Sequence, residues 1–90
     1  MKYWVDIPSD VRRRIDRLPG HIRQRVKRTI ALLALNPRPE TAKAMEDEWE
    51  GYYRIRVDNY RILYTIDDSA LIVEIARVAK RGPDTYSELN

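Results

Sequence analysis

The chain contains no cysteine. Disulfides, thiolate nucleophiles and cysteine-based zinc sites are therefore excluded. It has a single histidine, His21, which excludes multi-histidine metal sites and gives little footing to a Ser/His/Asp triad. The longest apolar run, Ile30 to Leu35, is far too short to span a bilayer. No cationic start followed by an apolar stretch marks a secretory signal, so a cytoplasmic location with no membrane partner is expected. A length of 90 residues argues for one domain over 1–90. Folding at this size buries roughly 65% of the extended-chain surface, enough for one modest core without staples.

What the chain does have is arginine. Lys and Arg together number 17 against 14 acids, a net charge of +3. Of the basic residues 13 are Arg and four are Lys, and arginine suits forked recognition of phosphate and stacking on bases. The charge is unevenly placed. Residues 11–30 carry eight basic groups and one acid, Asp16, a net of +7. Residues 40–50 carry five acids and Lys43, a net of −4. A polyanionic partner fits this distribution.

Periodicity orders the elements. Tyr3 to Ile7 reads as a short strand ended by Pro8. Ser9 or Asp10 can cap a helix whose Val11, Ile15 and Leu18 share one face. Pro19-Gly20 stops it, and a second helix runs from about His21 to Leu35, with Ile22, Val26, Ile30 and Leu33 on one side. Asn36-Pro37-Arg38-Pro39 ends that helix, and residues 36–51 form a loop with an acidic end. The period then changes to two, giving strands over Tyr52 to Val57, Tyr60 to Ile66 and Leu71 to Val78. Gly82-Pro83 closes the last strand, and Asp84 to Leu89 suits one helical turn. The expected fold class is α+β, in the order β-α-α-β-β-β, with an antiparallel sheet and a two-helix hairpin packed on one face.

The first hairpin sorts the arginines. With Asp58-Asn59 as a two-residue turn, Val57 faces Tyr60, Arg56 faces Arg61, Ile55 faces Ile62 and Tyr53 faces Tyr64. Alternation puts Tyr53, Ile55, Val57, Ile62, Tyr64 and Ile66 on the face that carries the helices. Arg54, Arg56 and Arg61 go to the other. Two arginines directly opposite each other repel, which structure alone disfavours and an anion-binding face requires. The plain alternative is a solvated sheet face. Near the end of the last strand Arg77, Lys80 and Arg81 cluster, with Tyr86 beyond, and an aromatic beside cations can stack on a base. Strict alternation from Ile66 opposite Leu71 sets Lys80 on the face of Arg61; Arg81 joins it only if a bulge or strand end intervenes near Ala79.

Tyr53-Arg54-Ile55-Arg56-Val57, Tyr60-Arg61-Ile62-Leu63-Tyr64, Val78-Ala79-Lys80-Arg81 and Tyr86 together resemble the RelE group of the RelE/ParE toxin superfamily. These are toxins of type II toxin–antitoxin pairs. The similarity covers nearly the whole chain, most specifically through the Tyr-Arg-x-x-Tyr signature at Tyr60 to Tyr64; the N-terminal half matches in pattern only. It implies a metal-independent, ribosome-dependent endoribonuclease without a cofactor, which cuts mRNA in the A site by attack of a ribose 2′-hydroxyl on the adjacent phosphorus. It also implies the ribosome, mRNA and a cognate antitoxin protein as partners. Carried over by position, Arg61 matches the arginine that stabilises the phosphate, Arg81 the arginine at the leaving oxygen, and Tyr86 the tyrosine that contacts the target nucleotide. Arg54 and Arg56 fall where RelE itself has two lysines. Arginine effectively cannot give up its proton, so these two suit electrostatic clamps rather than general bases.

The remaining residues are weighed against plainer roles. His21, beside Gly20, reads as a surface or capping residue. The run Glu46 to Glu50 reads as a solvated loop rather than a metal site. Arg13, Arg17, Arg25 and Arg28, on the basic helical hairpin with Arg12, Arg14, Arg23 and Lys27, are expected to contact RNA, as are Arg77 and Lys80. Trp4 and Trp49 are expected to serve core or edge packing. Two other functions stay open: a ParE-like toxin that inhibits DNA gyrase and cuts no RNA, and a non-catalytic basic module for RNA or protein. The pairing of Arg81 with Tyr86 favours the nuclease.

Overall fold

A computed structural model describes residues 2–81. Strand β1 (Trp4–Asp6) leads into helices α1 (Ser9–Asp16) and α2 (Gly20–Leu33). A two-residue strand β2 (Lys43–Ala44) and a 3-10 turn (Asp47–Trp49) follow, then β3 (Tyr52–Val57), β4 (Tyr60–Asp67) and β5 (Ile72–Lys80). Among the described residues no helix is long and apolar enough to cross a membrane.

Both helices begin immediately after a proline, Pro8 and Pro19, and neither start has a side-chain cap. The expected cap at Ser9 or Asp10 is thus replaced: both residues lie inside α1, and proline's fixed φ, −55° at Pro8 and −52° at Pro19, sets the entry instead. Pro19 starts α2 rather than ending α1, which stops at Asp16. Arg23 reaches back, its Nη1 donating to the carbonyls of Asp16 (3.3 Å) and Leu18 (3.4 Å), which occupies acceptors left open at the end of α1.

The sheet has five strands in the order β1-β5-β4-β3-β2. It is antiparallel from β2 to β5, as expected, but β1 joins β5 in parallel, with Trp4 opposite Ile72 and Asp6 opposite Glu74. Parallel pairing needs a long connection, and both helices and the β3–β4 hairpin separate these strands in sequence. The sheet is therefore mixed. Strand β2 lies inside the expected loop; its two residues are too few to show a period.

One face of the sheet carries the helices. Val11, Ile15 and Leu18, then Ile22, Val26, Ile30 and Leu33, pack on Ile55, Val57, Ile62, Tyr64, Val73, Ile75 and Val78. Each fully buried aliphatic side chain contributes roughly 1.5–3 kcal/mol. Tyr64 is 0% exposed, and its hydroxyl donates to the Pro37 carbonyl at 2.8 Å, so the core holds its phenol satisfied. Trp4 departs from expectation. It stands 74% exposed on the edge strand β1, on the side away from the helices.

The β3–β4 register matches the pairing read from the turn, including Arg56 opposite Arg61 and Tyr53 opposite Tyr64. Asp58 alone of the two turn residues has positive φ, 53°. The β4–β5 register does not follow strict alternation. Leu71 takes φ 57° and stays outside the strand, and Ile66 pairs with Val73 rather than Leu71. Tyr64 then pairs with Ile75 and Leu63 with Arg77, which leaves Ala76 as an extra residue. This bulge, three residues before Ala79, sets Ala79 opposite Arg61 and Lys80 opposite Tyr60. Lys80 therefore does not share the face of Arg61.

Candidate nucleic-acid interface

Backbone pairing assembles two transverse rows on the sheet face away from the helices. One row runs Lys43, Arg54, Leu63, Arg77 across β2, β3, β4 and β5. The other runs Arg56, Arg61, Ala79 across β3, β4 and β5. The rows are two residues apart along each strand, about 7 Å. Arg54, Arg61 and Arg77 are half-buried and Arg56 is exposed. Leu63, between Arg54 and Arg77, is only 2% exposed, and flanking arginines have aliphatic stems suited to cover such a residue.

Position 81 lies one row beyond the second, opposite Asn59. The Arg81 amide donates to the Asn59 carbonyl at 2.6 Å, continuing the pairing past the end of β5. Alternation from Ala79 then sets position 81 on the side of Arg61. The expected intervening bulge exists, at Ala76 rather than near Ala79. Arg77 also falls on this face. Lys43 is a cation that sequence reading did not single out, since its strand has only two residues; its place beside Arg54 follows from register alone. Tyr86, the Gly82-Pro83 strand end and the helical turn expected at 84–89 lie outside the described residues.

The opposite end of the same face is acidic. Thr65, Glu74 and Asp6 form the third row across β4, β5 and β1, and Asp67, Ile72 and Trp4 the fourth. Cations and acids are thus segregated along the strands, and a polyanion meets an attractive end and a repulsive end.

On the helical hairpin the eight cations divide. Arg14 donates Nε to the Val78 carbonyl at 2.7 Å, tying α1 to β5. Arg23 serves the end of α1. Arg25 pairs with Asp58 at 3.3 Å and Lys27 with Asp16 at 3.6 Å, both exposed pairs of small energetic weight. The side chains of Arg12, Arg13, Arg17 and Arg28 are exposed and make no hydrogen bond or ion pair among the described residues. His21 is exposed near the start of α2, as expected for a surface residue. The acidic run forms the 3-10 turn, and Trp49 packs edge-on against Tyr52 with ring centroids 5.4 Å apart.

A second cluster, not foreseen, locks the loop after α2. Arg38 grips Asp68 with two bonds, 3.1 and 2.8 Å, and donates Nε to the Tyr53 hydroxyl at 3.1 Å. Tyr3 donates its hydroxyl to Asp68 at 2.7 Å. The Arg38 guanidinium, and then the Tyr3 hydroxyl, hold the Asp68 carboxyl down at about 2. Burial, with Tyr53 beside it, pushes the Tyr64 phenol up to about 12. This clasp joins the N-terminal segment, the loop and the β4–β5 turn; it braces the sheet and lies apart from the arginine rows.

The arrangement offers fixed positive charge on a flat, partly open surface, suited to an extended polyanion. Comparison with known proteins agrees on kinship. Residues 3–84 match the family described as ParE toxin of type II toxin-antitoxin system, parDE. The chain is 32% identical over 80 residues to Toxin RelE of Mycobacterium tuberculosis (strain ATCC 25618 / H37Rv), covering 89% of this chain and 82% of that protein. It superposes on the toxin–antitoxin complex RelBE2 of Mycobacterium tuberculosis with TM-score 0.75 and 31% identity, over 90% of this chain and 100% of that one. It shares the fold of the archaeal RelE–RelB complex from Pyrococcus horikoshii OT3, TM-score 0.80 at 24% identity, over 92% and 99% of the two chains. The arginine-bearing hairpin, the two-helix cover and these matches lead to one conclusion: the chain is a RelE-like toxin and belongs to the RelE/ParE superfamily of type II toxin–antitoxin systems.

Proposed function

We propose that the chain is a ribosome-dependent endoribonuclease that cleaves mRNA in the A site. The observation that carries this reading is Arg56 directly opposite Arg61 on the sheet face away from the helices, with Arg54 and Arg77 in the adjoining row. Four guanidinium groups gathered on one face suit a partner with several phosphates. In the reaction the 2′-hydroxyl oxygen bonds to the adjacent phosphorus and the bond from phosphorus to the 5′-oxygen breaks. The products are a 2′,3′-cyclic phosphate and a 5′-hydroxyl, so one proton leaves the 2′-oxygen and one arrives at the 5′-oxygen. Arg61 stabilises the charge that grows on the phosphoryl oxygens, and Arg81 serves the leaving oxygen. Tyr86 contacts the target nucleotide. Arg54 and Arg56 clamp neighbouring phosphates; guanidinium neither takes up nor gives up a proton in the working pH range, so the 2′-proton passes to water and the 5′-oxygen takes its proton from water. Arg13, Arg17, Arg25, Arg28, Arg77 and Lys80 bind RNA, and a cognate antitoxin neutralises the toxin in the cytoplasm.

Cell-free translation with mapping of mRNA ends tests this. Cuts in the A-site codon, dependent on ribosomes and ending in 2′,3′-cyclic phosphate, are expected. The family match carries the ParE name and supports a second reading, an inhibitor of DNA gyrase. No cleavage together with blocked gyrase supercoiling would establish that one instead, and neither effect would leave a binding module.

A further inference from the structure

We infer that a second RNA-phosphate site lies on the helix side of the sheet, in the cleft between Arg14, Arg17, Leu18 and Tyr60. The inference rests on the RNA-directed reading above and extends it to a surface outside the arginine rows. The cleft measures about 220 Å³ and is lined by those four residues. Arg14, in the last turn of α1, and Arg17, which caps its end in helical conformation, are three apart and so share a face, an arrangement in which like charges repel. Arg14 spends only its Nε on the Val78 carbonyl, which fixes the guanidinium and leaves its two terminal nitrogens without a partner among the described residues. The Arg17 guanidinium and the Tyr60 hydroxyl have none either. Of the nearby acids, Asp16 pairs with Lys27 and Asp58 with Arg25, and Asp10 lines a separate hollow beside Arg14 rather than this cleft.

Two forked cations and one phenol donor converging without an acid suit a phosphodiester, whose two non-ester oxygens can each take a guanidinium fork. A lone carboxylate needs only one fork. Location adds the second argument. Tyr60 adjoins Arg61 but points to the opposite face, and in register it meets Lys80 just before Arg81. The cleft and the catalytic row therefore flank one end of the sheet. A single strand leaving the row around that end runs toward the cleft.

The test uses the full chain, free of antitoxin, with a fluorescent single-stranded oligoribonucleotide of about eight nucleotides. Arg17→Gln should weaken binding roughly three- to tenfold and flatten the dependence of log K on log salt by about 0.7. Tyr60→Phe keeps the ring that packs on the core and should weaken binding roughly threefold with the salt slope unchanged. A parallel titration with vacant ribosomes separates the sources. Loss toward the oligonucleotide assigns the phosphate to mRNA, and loss toward ribosomes alone assigns it to ribosomal RNA; either supports the site. Unchanged affinity and slope in both variants toward both probes would overturn it, as would losses confined to an acidic peptide. A chain that binds RNA through this cleft yet never cuts mRNA would sink the nuclease reading and leave this site standing.

Discussion

Single arginines divide by the side of the molecule they serve. Arg14, Arg23 and Arg38 tie helices and loop to backbone or side-chain acceptors, and the rows at Arg54, Arg56, Arg61 and Arg77 line the sheet face away from the helices. Replacing Arg61 or Arg81 by Ala should therefore lower ribosomal mRNA cleavage about a hundredfold or more, the usual cost of losing one transition-state donor. Far-UV circular dichroism and the urea midpoint should stay near the parent's. Arg54→Lys and Arg56→Lys should retain much of the activity, since charge is kept, while Arg→Ala at either should cost more; a cleavage assay across the four variants checks the order. Tyr64→Phe is a contrasting case. It strips the partner from the buried Pro37 carbonyl and should destabilise by about 1–3 kcal/mol in urea without touching the arginine face.

Among the elements, the β3–β4 hairpin was legible from sequence because a two-residue turn and strict alternation leave only one register. The arginines of that hairpin were placed by the same logic. The β4–β5 pairing was not, because one extra residue at Ala76 inverts every later position, and nothing in Ile75-Ala76-Arg77 marks it. Strand β2 was too short to announce itself, and the parallel partner of β1 depends on contacts far apart in sequence. Deleting Ala76 removes only the extra residue: Arg77 stays opposite Leu63 and Val78 opposite Ile62, so both keep their faces. One residue inserted between Arg77 and Val78 instead turns Val78 out of the core, since a one-residue slip exchanges the two faces. Thermal unfolding monitored by circular dichroism should keep a cooperative transition in the deletion and show one lowered by many degrees or absent in the insertion.

At the scale of the molecule, acid sensitivity has a named contributor. The Asp68 carboxyl titrates at about 2 in the folded chain, below its ordinary 3.8, because Arg38 and Tyr3 bond its charged form. A lowered folded value means stability present above the unfolded pKa and lost as pH falls from about 4 through about 2. Asp68→Asn should flatten that part of the stability–pH curve. The Tyr64 phenol works at the other extreme. Its raised value keeps it neutral in the fold, so stability falls as pH climbs from about 10 through about 12, and Tyr64→Phe should remove that loss.

The two outermost strands are the shortest, three residues in β1 and two in β2. Short rims cover their neighbours only in part: β1 pairs residues 72–74 of β5, and β2 pairs Tyr53 and Arg54 of β3. Strand-by-strand polymerisation, the hazard of any open sheet, would find its longest template along β5 past β1. The bulge at Ala76 and the Arg14 bond to the Val78 carbonyl interrupt that run, so copies of the molecule crowded together meet a broken seam rather than a clean one.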